Sequence, residues 1–298
     1  MKLSPQFFFF FFFLLYCKSA KAQAGDIKFI TAIRSVSDYK EDGVKGINIT
    51  CRYNGLAVEE MSHNDSILEK ALFTISIKLF LNDVAINPAF GYQQLANRKN
   101  EIVFTRHLLR SESEASKIDK KVDVFVPYAA LKLPGLADYS ITAKAEVVME
   151  IDMESRLIQT IEKQNIAFYK PATHTASFVI DSIAVNILDT RGRAWDHSLF
   201  SSDAPDIGVE IKLANTIVWQ KYFNNTYLFA LPATANTISF AISEGDQVTF
   251  LIEDRDIMVS DLIATINFKS NEAKNGEWQQ YIPGGGNIKA CSIFFKVD

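Results

Sequence analysis

Two aspartates one residue apart, Asp254 and Asp256, follow the apolar alternation of Val248, Phe250 and Ile252, and a third, Asp261, precedes an apolar run from Leu262. Carboxylates held in one short loop repel. At about 5 Å and an effective dielectric near 20, each like-charge pair costs roughly 3 kcal/mol. A bound cation removes that cost. All-oxygen ligation on loops suits Ca²⁺, whereas Zn²⁺ calls for His or Cys. A second acidic stretch lies upstream, with Asp189 after Ile187-Leu188, then Asp196, Asp203 and Asp206. The competing reading of the same residues is that they are solvated turn formers.

Other chemistries find little support. There is no GxSxG elbow, HExxH, P-loop or CxxC pair. His63, His107, His174 and His197 are scattered, and His197 beside Asp196 reads as a polar loop residue. Glycosidase carboxylates stand on opposite walls of a cleft, whereas these share a loop. Gly284-Gly285-Gly286 lacks the following helix that a phosphate cradle needs. The expectation is a protein that is not an enzyme.

The elements that carry these loops have a period of two. Phe73, Ile75, Ile77 and Leu79 alternate with polar residues, as do Ile141, Ala143, Ala145, Val147 and Met149. Val179, Ile183 and Val185 share one face, as do Ile207, Val209, Ile211 and Leu213, and Ile238, Phe240 and Ile242. Such alternation buries one face of a strand, the pattern of antiparallel sheets packed face to face. The fold class is all-β, two antiparallel β-sandwich domains in tandem. Only the stretch from Met61 to Leu72 is suited to a short helix. Asn165, Pro171 and His174 punctuate a boundary, giving domains at 24–165 and 176–298 with a linker at 166–175.

Lys2 followed by the apolar run Phe7 to Tyr16 has the length of a signal-peptide core, and Ala20-Lys21-Ala22 supplies a cleavage site, so residues 1–23 read as a signal peptide. Lipoprotein attachment at Cys17 is disfavoured by the bulky Tyr16 before it. The expected location is secreted or extracytoplasmic, in a periplasm or at a cell surface, with no transmembrane segment after leader cleavage. About 275 residues then remain, room for two domains. A net charge of −4 with mixed signs offers no basic face for nucleic acid. Cys51 and Cys291 each fall on an apolar alternation and read as core residues; a bridge between them requires the two domains to meet there.

From Thr175 to Asp298 the chain resembles the C2 domain family, a β-sandwich in which aspartates from the first and third loops at one end clasp calcium. The resemblance rests on Asp189 after the opening strand, Asp206 before Ile207-Gly208-Val209, the pair Asp254 and Asp256, and Asp261. It implies Ca²⁺ held by these five, with Asp196 or Asp203 replacing or supplementing Asp206 because the first loop is longer than the family's usual one. The spacing from Asp256 to Asp261 is one residue short of the commonest pattern. The earlier half, through Asp123 to Tyr128 and Leu133-Pro134-Gly135, is similar at fold level to Ig-like β-sandwiches of secreted proteins.

Residues beside a cation site that point outward can meet a partner. The loop tips expected to do so are Ile257, Met258 and Val259, with Arg193 and Trp195 from the first loop. Trp195 can instead fold back to cap the sandwich. The partner expected is an anionic lipid, a glycan or an envelope protein, with phospholipid or surface binding as the role. The rival expectation is a metal-free structural or accessory envelope protein with a degenerate C2-like domain.

Overall fold

The computed structural model describes residues 28–55, 72–108, 119–151, 154–192, 195, 204–224, 226–231, 237–255, 260–272, 276–281 and 286–298. They form antiparallel strands joined by turns and short 3₁₀ segments. The signal segment 1–23 lies outside the described residues, as does the stretch expected to be helical except for its last residue, Leu72, which opens a strand.

In the first half β1 (Ile30–Glu41), β2 (Val44–Asn54) and β6 (Asp119–Pro127) form one sheet in the order β1-β2-β6. The facing sheet contains β3 (Leu72–Leu81), β4 (Val84–Ala85), β5 (Val103–Leu108), β7 (Ala137–Ile151) and β8 (Glu154–Lys170). Alternation decides what is buried. β2 sends Ile47, Ile49 and Cys51 inward, β3 sends Phe73, Ile75, Ile77 and Leu79, and β7 sends Ile141, Ala143, Ala145 and Val147. The polar residues between them face water or the sheet surface.

The second half packs β11-β10-β14-β15 against a sheet of β12, β13, β9, β17 and β16. These are β9 (Thr173–Val185), β10 (Ile207–Leu213), β11 (Thr216–Phe223), β12 (Leu228–Ala230), β13 (Thr237–Ser243), β14 (Gln247–Arg255), β15 (Ser260–Lys269), β16 (Gln279–Tyr281) and β17 (Ile288–Val297). Phe178 centres the core, with the Phe250 ring at 5.0 Å and the Phe240 and Phe268 rings at 5.6 Å. Each such buried ring stabilises by about 1.5–3 kcal/mol. Cys51 and Cys291 are free and buried in different cores, and burial pushes their thiols up to about 11 and about 12.

Of the stretch 166–175 expected to be a linker, residues through Lys170 belong to β8 and those from Thr173 to β9, so only Pro171 and Ala172 lie between strands. The halves interlock at this point. Ala241 N–H donates to Phe90 O at 2.9 Å, Tyr92 Oη–H to Ala241 O at 3.0 Å, and Lys45 N–H to Asp246 Oδ1 at 3.2 Å. Gly91, at φ +88°, passes so close to β13 that a Cβ there would stand 2.1 Å from Phe240 Cβ. Asp246 and Lys170 are both buried in this joint, at 1% and 0% exposure. β14 starts beside the joint and, at about 3.3 Å per residue, carries the chain roughly 27 Å to the opposite end of the second sandwich.

Candidate functional site

That opposite end is where the acidic loops depart. Val248, Phe250 and Ile252 are the inward residues of β14, and Asp254 continues the same column as its last member, 0% exposed. A bulge between Ile252 and Glu253 sets the final register, in which Asp254 lies opposite both Ile207 of β10 and Asp261 of β15. Directly opposed residues share a face with Cβ atoms about 5 Å apart. Asp206, one residue before Ile207, donates its N–H to Asp254 Oδ1 at 2.8 Å, and its carbonyl accepts Arg255 N–H at 3.0 Å. Asp254 and Asp261 therefore face each other across β14 and β15, and Asp206 meets Asp254 through its backbone just before β10.

The first acidic loop starts at the same end. Val185 N–H donates to Tyr227 O at 2.9 Å, and Thr226 N–H donates to Pro205 O at 2.9 Å, which ties the end of β9, the turn before β12 and the approach to β10 together. Asp189 closes a turn there: its Oδ1 accepts Arg191 N–H at 2.8 Å and its carbonyl accepts Gly192 N–H at 2.9 Å. Among the described residues no three His, Cys, Asp or Glu side chains stand close enough to hold one metal ion. Asp196, Asp203 and Asp256 lie outside the described residues, as do Arg193, Ile257, Met258 and Val259.

Trp195 corrects an expectation. It is not at a loop tip but 5% exposed, part of the core, and its Nε1–H donates to Asn186 O at 2.7 Å. An indole this large gains more from covering the open end of a sandwich than from water, and the Asn186 carbonyl satisfies its one polar atom.

Arg255, the cation of the D-R-D run, is turned to the outer face of its sheet. Its guanidinium pairs with Glu210, lies 3.6 Å from Glu253 and stacks on the Tyr222 ring at 4.4 Å. Gly208 makes the room, since a Cβ there would meet the Tyr222 ring at 2.8 Å. Burial pushes the Glu210 carboxyl up, but Lys212, Tyr222 and Arg255 outweigh it and hold the group below its ordinary value. This cluster has no signature in the alternation, because Glu210 sits at the outward parity of β10. Its effect on the site is that Arg255 neutralises Glu210 rather than the aspartates beside it.

No family model matches the chain, and no curated protein matches it. Among solved structures it is similar to a C2 domain, 11% identical over 42% of this chain and 98% of that one, with a TM-score of 0.29. It is also similar to the calcium-bound tandem C2 domains of extended synaptotagmin 2, 9% identical over 76% of this chain and 96% of that one, at a TM-score of 0.31. A third likeness is to human GIVD cytosolic phospholipase A2, 6% identical over 76% of this chain and 32% of that one, at 0.25. Superpositions this loose carry no argument about chemistry, and the site stands on the geometry above.

Proposed function

We propose that the chain is an exported, non-catalytic binding protein whose second sandwich takes Ca²⁺ at its acidic end and presents the surrounding loops to an anionic lipid, a glycan or an envelope protein. The observation that supports this is the register that sets Asp261 directly opposite Asp254, with the Asp206 backbone bonded to Asp254, while Arg255 is turned away to Glu210. The donor type suits Ca²⁺, being carboxylate oxygen throughout. The described aspartates do not by themselves make a complete donor set. Asp256, and Asp196 or Asp203, are the residues that would complete it.

A second reading is favoured by what the carboxylates already do. Asp254 Oδ1 accepts a backbone N–H, and so does Asp189 Oδ1, as expected of a metal-free accessory protein in which these groups only fasten loops. Melting in the presence and absence of Ca²⁺ separates the two. Ligand at 100 times its Kd stabilises the folded state by about 2.7 kcal/mol, which for a chain of this size raises Tm by roughly 5–10 °C. Asp256→Asn with Asp261→Asn should abolish the rise while leaving the metal-free Tm nearly unchanged. A wild-type Tm indifferent to millimolar Ca²⁺ favours the second reading.

A further inference from the structure

Among the described residues the first sandwich is closed by hydrogen bonds along one side and shows none along the other. On the β1/β8 side the Gln159 amide bridges both polar atoms of Ile30, accepting its N–H at 2.9 Å and donating to its carbonyl at 3.0 Å. Ser37 Oγ–H adds a bond to Ala167 O at 2.6 Å. The other side is bordered by β5 and β6, each the last strand of its sheet. Between them lies a cavity of about 640 Å³ whose partly exposed apolar lining is Leu95, Phe104 and Val122, with Ile75, Ile77 and Val124 buried beneath. That volume falls within the range of small-ligand sites, about 300–1,000 Å³, which favour junctions between domains. The second half supplies one wall of the cavity through Thr216 and Ile217, and the Gln94 side chain fastens that wall by donating to Ile217 O.

One residue at the mouth is out of keeping with the floor. In the β3–β5 register Phe73 faces Leu108, Ile75 faces Arg106 and Ile77 faces Phe104. Opposed residues share a face, so Arg106 leaves β5 on the inner side, between Phe104 and Leu108. It lines the cavity and is exposed. Among the described residues no carboxylate pairs with it. The carboxylate among the described lining residues, Asp123, already pairs with Lys121 at 2.8 Å. An apolar trough with one uncommitted guanidinium at its mouth is complementary to a molecule with an apolar body and a single anionic end.

We propose that the seam between β5 and β6 binds an amphipathic carboxylate, its hydrocarbon lying on Leu95, Phe104 and Val122 and its charged end at Arg106. The site is separate from the acidic end of the second sandwich and independent of calcium. An inward cation on an edge strand can also serve only to deter strand addition by another chain, and the experiment distinguishes the two.

Dodecanoate, dodecanol and butanoate are titrated into the full-length chain by calorimetry in the presence of EDTA, so that failure here leaves the calcium reading untouched. Dodecanoate should bind at one per chain, dodecanol at least tenfold more weakly, and butanoate not measurably. Arg106→Gln should bring dodecanoate down to the affinity of dodecanol and leave dodecanol unchanged. The indole introduced by Phe104→Trp should shift its emission to the blue on dodecanoate binding, which places the ligand in the seam. The proposal is overturned if dodecanoate does not bind, if dodecanol binds as well as dodecanoate, or if the Phe104→Trp emission does not move. It is equally overturned if Arg106→Gln leaves affinity unchanged and only promotes aggregation, since Arg106 is then an edge guard.

Discussion

Lowering the pH should strengthen the joint between the two halves. Asp246 accepts the N–H groups of Lys45 and Ser243, at 3.2 and 3.0 Å, from positions on the two halves. The groups that face it are Lys45 on β2, Lys170 at the end of β8 and Tyr92 on the segment before β5. Burial pushes its carboxyl up to about 6, more than these donors and cations pull it down. The folded state therefore binds a proton more tightly than the unfolded chain does, and the stabilisation this brings is present in acid and lost as pH rises through about 6. Against an ordinary aspartate value near 3.9, the full effect is about 3 kcal/mol, of which about 1 kcal/mol is recovered on going from pH 7 to pH 5. The assay is urea unfolding of the full chain followed by tryptophan fluorescence, with Asp246→Asn as the variant that cannot titrate. The wild-type stability minus that of the variant should rise by about 1 kcal/mol between pH 7 and pH 5. A difference that stays flat, or falls, refutes the assignment of a desolvated carboxylate at the joint.

Two further outcomes follow from contacts of single residues. Gly91→Ala places a Cβ at 2.1 Å from that of Phe240 on a backbone with φ +88°, and should cost about 2–4 kcal/mol in urea unfolding; a loss under about 1 kcal/mol would show that the joint yields. Trp195→Ala should cost about 3–5 kcal/mol, and Trp195→Phe about 1 kcal/mol through the stranded Asn186 carbonyl. Unchanged stability in both, with weakened partner binding instead, would return Trp195 to the loop tip.

The strands were legible because alternation and burial are the same fact seen twice: the columns Val248-Phe250-Ile252 and Ile141-Ala143-Ala145-Val147 are apolar in sequence and buried in the fold. The same column places Asp254 inward, and the turn chemistry of Asp189 was equally local. What periodicity could not supply was contact between segments far apart in the chain. Lys170 continues the inward parity of Ile166 and Phe168, a visible sign of burial, yet nothing local says that Asp246 lies close enough to offset its charge. Pro171 marks a break in the ladder, but a break of two residues joins strands rather than separating bodies. The direction of Trp195 was undetermined for a similar reason. An aromatic residue in a long loop serves equally as a tip or a cap, and its position was decided by the Asn186 carbonyl and the open end of the sandwich. Arg106 carries no such signal, because a single charge in a strand ordinarily means an outward face, and only the register with Ile75 turns it inward.

Calcium binding itself is the most direct test of the acidic end. Isothermal titration of Ca²⁺ into chelator-treated, full-length chain, with millimolar Mg²⁺ present throughout, should give a saturable heat at one or more ions per chain. Asp256→Asn with Asp261→Asn should remove that heat while the variant stays folded. A flat titration of the folded wild-type chain, or a heat that survives both substitutions, would contradict the account and leave the aspartates as fasteners of loops.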